Sequence, residues 1–143
     1  MIEIQPFKKK HLHMLNLQPA QERFFLYFDF EYAEVLETAG PSFSAVRGES
    51  VLASAGLIKQ WDNRAIAWGL IGAELGNDFI KVHRAVDRFL NMSDFNRIEA
   101  YVDTTFGQGH RWIKKLGFEY EGTMRQFNPD GSDACLYARL KNG

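Results

Sequence analysis

The chain has a single cysteine, Cys135. No intrachain disulfide can form, and a reducing compartment suits such a sequence. An excess of either charge is also missing. There are 17 Lys and Arg against 18 Asp and Glu, a net charge of −1 and a pI near 6.4. That balance excludes the basic patchwork by which nucleic acids and anionic membranes are bound. No run approaches the ~20 apolar residues that span a bilayer. Lys8, Lys9 and Lys10 are followed by no apolar run of signal-peptide length. These absences predict a cytoplasmic chain with no nucleic-acid or membrane partner. Proline numbers only four, and no repeat, linker or low-complexity run interrupts the chain. Metal-ligand spacing is missing as well. His11 and His13 stand two apart, on different faces of any helix, with no acidic or cysteine partner nearby. They are predicted as solvated surface side chains, and no metal site is predicted.

What is present is apolar. Hydrophobic residues make up 45% and aromatics 14%, with twelve Phe, so the chain is globular rather than disordered. With 143 residues it predicts one domain over 1–143, large enough to bury a core without staples. Residues 1–7 alternate and read as a first strand. Residues 8–17 read as a short helix through Leu12, Leu15 and Leu17. Residues 21–38 read as a strong helix. Phe24, Phe25, Phe28, Tyr32, Val35 and Leu36 share one face at spacings of three and four, with Tyr27 and Phe30 beside it. Two hairpins follow, turning at Gly48-Glu49 and Asp62-Asn63, so residues 43–71 make a three-stranded meander. Residues 77–92 form a second helix, buried through Phe79, Val82, Val86, Phe89 and Leu90.

Residues 96–127 organise the rest. Ile98, Ala100 and Val102 alternate with Arg97, Glu99 and Tyr101, which is a strand with one face in the core. Thr104 or Thr105 is placed to cap a helix over 106–116. Lys114 and Lys115 suit its C-terminal end, and Gly117 its stop. Two further strands, 118–125 and 134–140, are joined by a turn at Asn128-Pro129-Asp130-Gly131. The predicted order is β α α β β β α β α β β, an α/β fold of mixed sheet and helices.

This stretch carries a resemblance. Leu116-Gly117-Phe118, then Glu121-Gly122 with Arg125, then Gly131, Asp133 and Leu136-Tyr137, resemble the C-terminal third of the GNAT acetyltransferase superfamily. They are most similar to the branch that acetylates protein N-terminal amines. The resemblance implies a GNAT-type fold and transfer of an acetyl group from acetyl-CoA to an amine, on a small molecule or a protein N-terminus. It implies that backbone at Leu70 and Ile71 binds the pantetheine arm. The turn of Gly72, Ala73, Leu75, Gly76 and Asn77 would hold the pyrophosphate, since a glycine turn at a helix start offers free N–H groups. Glu74 puts a negative charge in that turn, and no Arg or Gln precedes it as the family pattern requires. The family's cofactor-contacting Asn and thiolate-protonating Tyr fall at Phe106 and Ile113, where neither side chain can do that chemistry. His110, Tyr101 and Asp103 are the remaining polar candidates for acid or base, with Asp103 equally placed to cap the helix. A second expectation stands beside the enzyme. Small GNAT-like proteins of bacteriophages with eroded cofactor motifs are similar in size and in the missing residues, which implies a structural or interaction protein. Ser54 lacks a nucleophile-elbow context, and Cys135 reads as a small core residue.

Overall fold

The computed structural model describes residues 2–17 and 30–141. The elements run β1 (Glu3–Pro6), a 3-10 turn (Lys9–His13), α1 (Phe30–Thr38), β2 (Ser42–Arg47), β3 (Ser50–Trp61) and β4 (Arg64–Ile71). A second 3-10 turn (Gly76–Asp78) leads into α2 (Phe79–Met92), followed by β5 (Arg97–Asp103), α3 (Gly107–Lys115), β6 (Glu119–Met124) and β7 (Ala134–Leu140). Seven strands make one mixed sheet in the order β1-β2-β3-β4-β5-β7-β6. This is the predicted α/β fold, with one correction in its order. Residues 8–17 do not form an α-helix. His11 N–H bonds to Lys8 C=O at 2.8 Å and Met14 N–H to His11 C=O at 3.1 Å, the tighter i→i+3 pattern. Beyond that turn the chain bends so that Leu15 and Leu17 join Leu12 in the core. Contacts gather into two compact units, Met1–Ile58 with Trp68–Ser93, and Lys59–Ala67 with Asp94–Gly143.

In the first unit β1, β2 and β3 pair antiparallel. Gly48 closes the first hairpin at φ +61°, a backbone state that glycine adopts without a Cβ clash. Leu12, Leu15, Leu17, Ala33, Val46, Val51 and Leu70 form a core against which Trp68 packs. Each such leucine contributes about 1.5–3 kcal/mol by leaving water. The stripe predicted for the first long helix is corrected where it is described. Ala33 and Leu36 are buried, whereas Tyr32 and Val35 are exposed. Leu36 belongs to the predicted stripe and is buried as expected, whereas Ala33 lies outside that stripe. Phe24, Phe25, Tyr27 and Phe28 lie outside the described residues. Val82, Val86 and Leu90 bury the face of α2, as predicted, and Phe89 meets Phe43 edge-on at 5.2 Å.

His11 is the other correction here. It is 5% exposed rather than solvated. Its Nδ1 accepts the Lys8 N–H at 3.1 Å and lies 2.9 Å from Ser44 Oγ, which lies 2.8 Å from Ser54 Oγ. Both serines are fully buried. An Nδ1 that accepts from a main-chain amide carries no proton, so Ser44 donates to it and Ser54 donates to Ser44. Both strands are buried on both faces here, which encloses the serines. Nothing in the sequence pointed them at a histidine on a separate turn.

In the second unit β5 pairs with β7 along its whole length, Arg97 opposite Leu140 through Asp103 opposite Ala134. On its other side β5 pairs parallel with β4 over three rungs only, Arg64 to Ile66 against Arg97 to Glu99. α3 ends as predicted. Gly117 at φ +90° bonds its N–H to Lys114 C=O at 3.0 Å, and Phe118 N–H reaches Ile113 C=O at 3.2 Å. That is the paired closure of a glycine-capped helix. Arg139 Nε covers the Leu116 carbonyl at 3.0 Å. β6 and β7 are antiparallel with a register shift between Tyr120 and Gly122, joined through a turn where Gly131 N–H meets Asn128 C=O at 2.8 Å.

Candidate functional site

The glycine turn after β4 is only partly available to a ligand. Gly72 N–H bonds to Leu52 C=O at 2.8 Å and Ala73 N–H to Asn16 C=O at 2.6 Å. A Cβ on Gly72 would lie 2.7 Å from the Leu52 oxygen, so this glycine exists for close backbone packing. Gly76 differs. It has φ +54°, is exposed, and a Cβ there meets nothing within 4 Å. Among the described residues, the N–H groups of Gly76 and Asn77 have no main-chain acceptor. Leu70, Ile71 and Leu75 are buried and anchor the turn. Asn16 Nδ2 donates to Glu74 at 3.2 Å. Asp78 forms an ion pair with Arg47 and lies 3.8 Å from Lys81 Nζ. Helix α2 begins at Phe79, within two residues of the predicted Asn77. The N–H inventory expected there shrinks to the Gly76–Asn77 end.

The start of α3 departs from its expected cap. Neither Thr104 nor Thr105 caps the helix; Phe106 occupies the capping position without a side-chain bond. Asp103 instead shapes the turn before the helix, accepting from Thr105 N–H at 2.9 Å and Thr105 Oγ1 at 2.5 Å. Asn128 Nδ2 also reaches Asp103 at 3.2 Å, which ties the β6–β7 loop to the end of β5. The Phe106 ring lies against Gly109, where a Cβ would come within 2.5 Å of it. Ile113 is half-buried on the same helix.

His110 is engaged at both nitrogens. Nε2 lies 3.3 Å from the Thr104 carbonyl oxygen, an acceptor only, so Nε2 carries the proton. Nδ1 then accepts from the Tyr137 hydroxyl at 2.7 Å. Tyr137 is 3% exposed, and burial raises its phenol pKa, with Cys135 and Tyr120 adding to the shift. His110 thus bolts α3 to β7.

Tyr101 sits in a charged network that the sequence reading missed. Its hydroxyl donates to Glu99 Oε1 at 3.2 Å. Glu99 is 6% exposed and accepts from Arg64 Nε at 2.5 Å, Arg64 Nη2 at 2.8 Å and Arg97 Nε at 2.8 Å. Arg97 also forks onto Glu121 at 3.0 and 2.6 Å. The Arg64 hydrogen bonds, and then those of Arg97, hold the Glu99 carboxyl down at about 2 against opposing desolvation. Burial first, and then the Glu99 charge, raise the Tyr101 pKa above its ordinary value. The Arg64 guanidinium stacks 4.8 Å from the Trp61 ring, and Phe127 meets Tyr101 edge-on at 5.0 Å. The only early signal was the alternation that put Arg97, Glu99 and Tyr101 on one face. It gave no reason to pair them with Arg64.

The seven-stranded mixed sheet with its helices defines the class as α/β. No protein-family model and no curated protein matches the sequence. Solved structures do match, over nearly the whole chain. Ard1 from Thermoplasma volcanium superposes with a TM-score of 0.81 at 16% identity, covering 97% of both chains. The ribosomal-protein-S18-alanine N-acetyltransferase from Escherichia coli gives 0.75 at 14%, covering 98% of this chain and 94% of that one. A spermidine N-acetyltransferase chimera from Vibrio cholerae and hSSAT gives 0.73 at 18%, covering 99% and 96%. The chain has the GNAT acetyltransferase fold.

Proposed function

We propose that this chain is an acyl-CoA-dependent N-acetyltransferase, moving an acetyl group from acetyl-CoA to an amine on a small molecule or a protein N-terminus. The observation that carries the reading is the likeness in fold, over nearly the whole chain, to solved N-acetyltransferases of a polyamine and of a protein N-terminal alanine. On this reading the main chain at Leu70 and Ile71 takes the pantetheine amides. The turn of Gly72, Ala73, Leu75, Gly76 and Asn77 approaches the pyrophosphate through its Gly76–Asn77 end. Phe106 and Ile113 contribute apolar contact only.

Chemistry is then mostly positioning. Bringing amine and thioester together supplies much of the rate without any acid or base. Ile113 cannot donate a proton, and both His110 nitrogens are already occupied. A missing general acid lowers rate by ~10²–10⁴-fold, so slow turnover is expected. Acetylation of spermidine and of an alanine-initiated peptide tests the reading, with product followed by mass spectrometry. Time- and enzyme-dependent product supports it; binding of acetyl-CoA without product reduces the chain to a CoA-binding module. A second reading, an inert structural or interaction protein, is favoured by Gly72 and Ala73, whose amides are spent inside the protein. Failure to bind acetyl-CoA at all would leave that reading standing.

A further inference from the structure

We propose that Glu74 denies the turn after β4 any net attraction for phosphate, so that the acyl donor is held by its uncharged pantetheine arm. Thioesters without a nucleotide then serve as well as acetyl-CoA. The inference rests on the transferase reading above and names the class of donor for that same turn. Every group it uses belongs to the first compact unit. A pyrophosphate binds where main-chain N–H groups and cations outweigh nearby carboxylates. Around this turn they do not. Gly72 N–H is taken by Leu52 C=O and Ala73 N–H by Asn16 C=O, which leaves the N–H groups of Gly76 and Asn77. Glu74 stands two residues before Gly76 and is exposed. Asn16 holds it there, since its Nδ2 donates to Glu74 Oε1 at 3.2 Å while Leu17 bridges Gly72. Leu15 and Leu17 are buried on either side of Asn16, so the residue that holds the carboxylate is itself anchored.

Cations do not restore the balance. Arg47 and Lys81 both turn to Asp78, and among the described residues the ion pairs of this turn all end on that carboxylate. Glu74 keeps its charge. Arg84 and Arg88 stand roughly 10 and 16 Å along α2 from Asn77, at ~1.5 Å per helical residue. That is beyond the ~8 Å over which surface charges act in physiological salt. The start of a helix carries about half a positive charge, and one full carboxylate more than offsets it. The pantetheine arm has two amides and no charge, so Glu74 neither attracts nor repels it.

The experiment has two arms. In the first, inorganic pyrophosphate is titrated into the protein and the Gly76 and Asn77 amides are followed by NMR. Wild type is expected to show no saturable shift up to millimolar pyrophosphate, and Glu74→Gln to show one. Glutamine keeps an acceptor for Asn16 at an exposed position, so the substitution spares the fold. Saturation in the wild type, or none in Glu74→Gln, overturns the proposal whatever the donor. In the second arm, Kd is measured by calorimetry for acetyl-CoA and for S-acetylpantetheine. Wild type is expected to bind the two alike. Glu74→Gln is expected to tighten acetyl-CoA about tenfold, the scale of one carboxylate against two phosphate charges beside water, and to leave S-acetylpantetheine unchanged. Acetyl-CoA bound far more tightly than S-acetylpantetheine by the wild type overturns the proposal, as does an equal effect of Glu74→Gln on both donors. If neither donor binds, the transferase reading falls and the donor class with it, while the pyrophosphate titration still decides what Glu74 does to the turn.

Discussion

His11 is held neutral by its neighbours. Two donors, Lys8 N–H and Ser44 O–H, point into Nδ1, and a proton there would displace both. Burial lowers its pKa most, Lys10 and Lys8 lower it further, and Glu37 opposes them. A histidine lowered in the folded state binds fewer protons folded than unfolded near its titration. Its contribution is complete above about 6.5 and is lost as pH falls from there towards the folded value. Urea midpoints measured from pH 7.5 to 5 should therefore decline, and His11→Asn should flatten that decline. Glu99 acts in a separate window. Its carboxyl is lowered from 4.5 to about 2, so its stabilisation is whole above 4.5 and lost between there and 2. His110 makes a contrasting case. Removing it leaves the buried Tyr137 hydroxyl without its acceptor, which costs about 1–3 kcal/mol. His110→Ala should show that loss in a urea titration, while any acetyl transfer per folded molecule stays near wild type. A large selective drop in transfer would restore His110 as the acid.

Among the elements, the end of α3 depends on one glycine. Gly117 sits at φ +90°, and a Cβ there would lie 3.4 Å from Arg139 Nε, the group that covers the Leu116 carbonyl. Gly117→Ala should cost roughly 1–2 kcal/mol from the left-handed backbone. Equal urea midpoints for the two proteins would contradict the cap. This element was legible in sequence because its signals are local: an apolar stripe, two lysines, a glycine stop. The two tail strands and the hairpins were legible for the same reason. The 3-10 turn at Lys9–His13 was not, because its form answers to Ser44, Ser54 and Glu37, all distant in the chain. The face of α1 was misread since aromatic residues dominate the pattern, whereas the small Ala33 marks the buried side. Gly72 was read as a ligand cradle. The Leu52 carbonyl, twenty residues earlier in the chain, is what requires a glycine there.

For the whole molecule, the order of strands and helices was readable from periodicity, and the GNAT resemblance from about a third of the chain. The candidate site was readable less well. Its main-chain positions follow from the fold, but the Arg64–Glu99–Tyr101 network depends on strand pairing that joins residues 35 positions apart. The missing tyrosine at Ile113 was visible from the sequence, and it predicts an outcome. Ile113→Tyr should raise acetyl transfer by up to ~10²-fold if a general acid is what the helix lacks, read as initial rate at saturating acetyl-CoA. No gain would place the limit elsewhere. The central claim is that this fold still receives acetyl-CoA, and a thermal unfolding series with acetyl-CoA tests it most directly. At a concentration of ~100 times Kd a specific ligand adds about 2.7 kcal/mol, which for a domain of this size raises Tm by roughly 10 °C. A saturable rise of that order, absent with acetate, is the predicted result; a Tm unmoved by millimolar acetyl-CoA would contradict it.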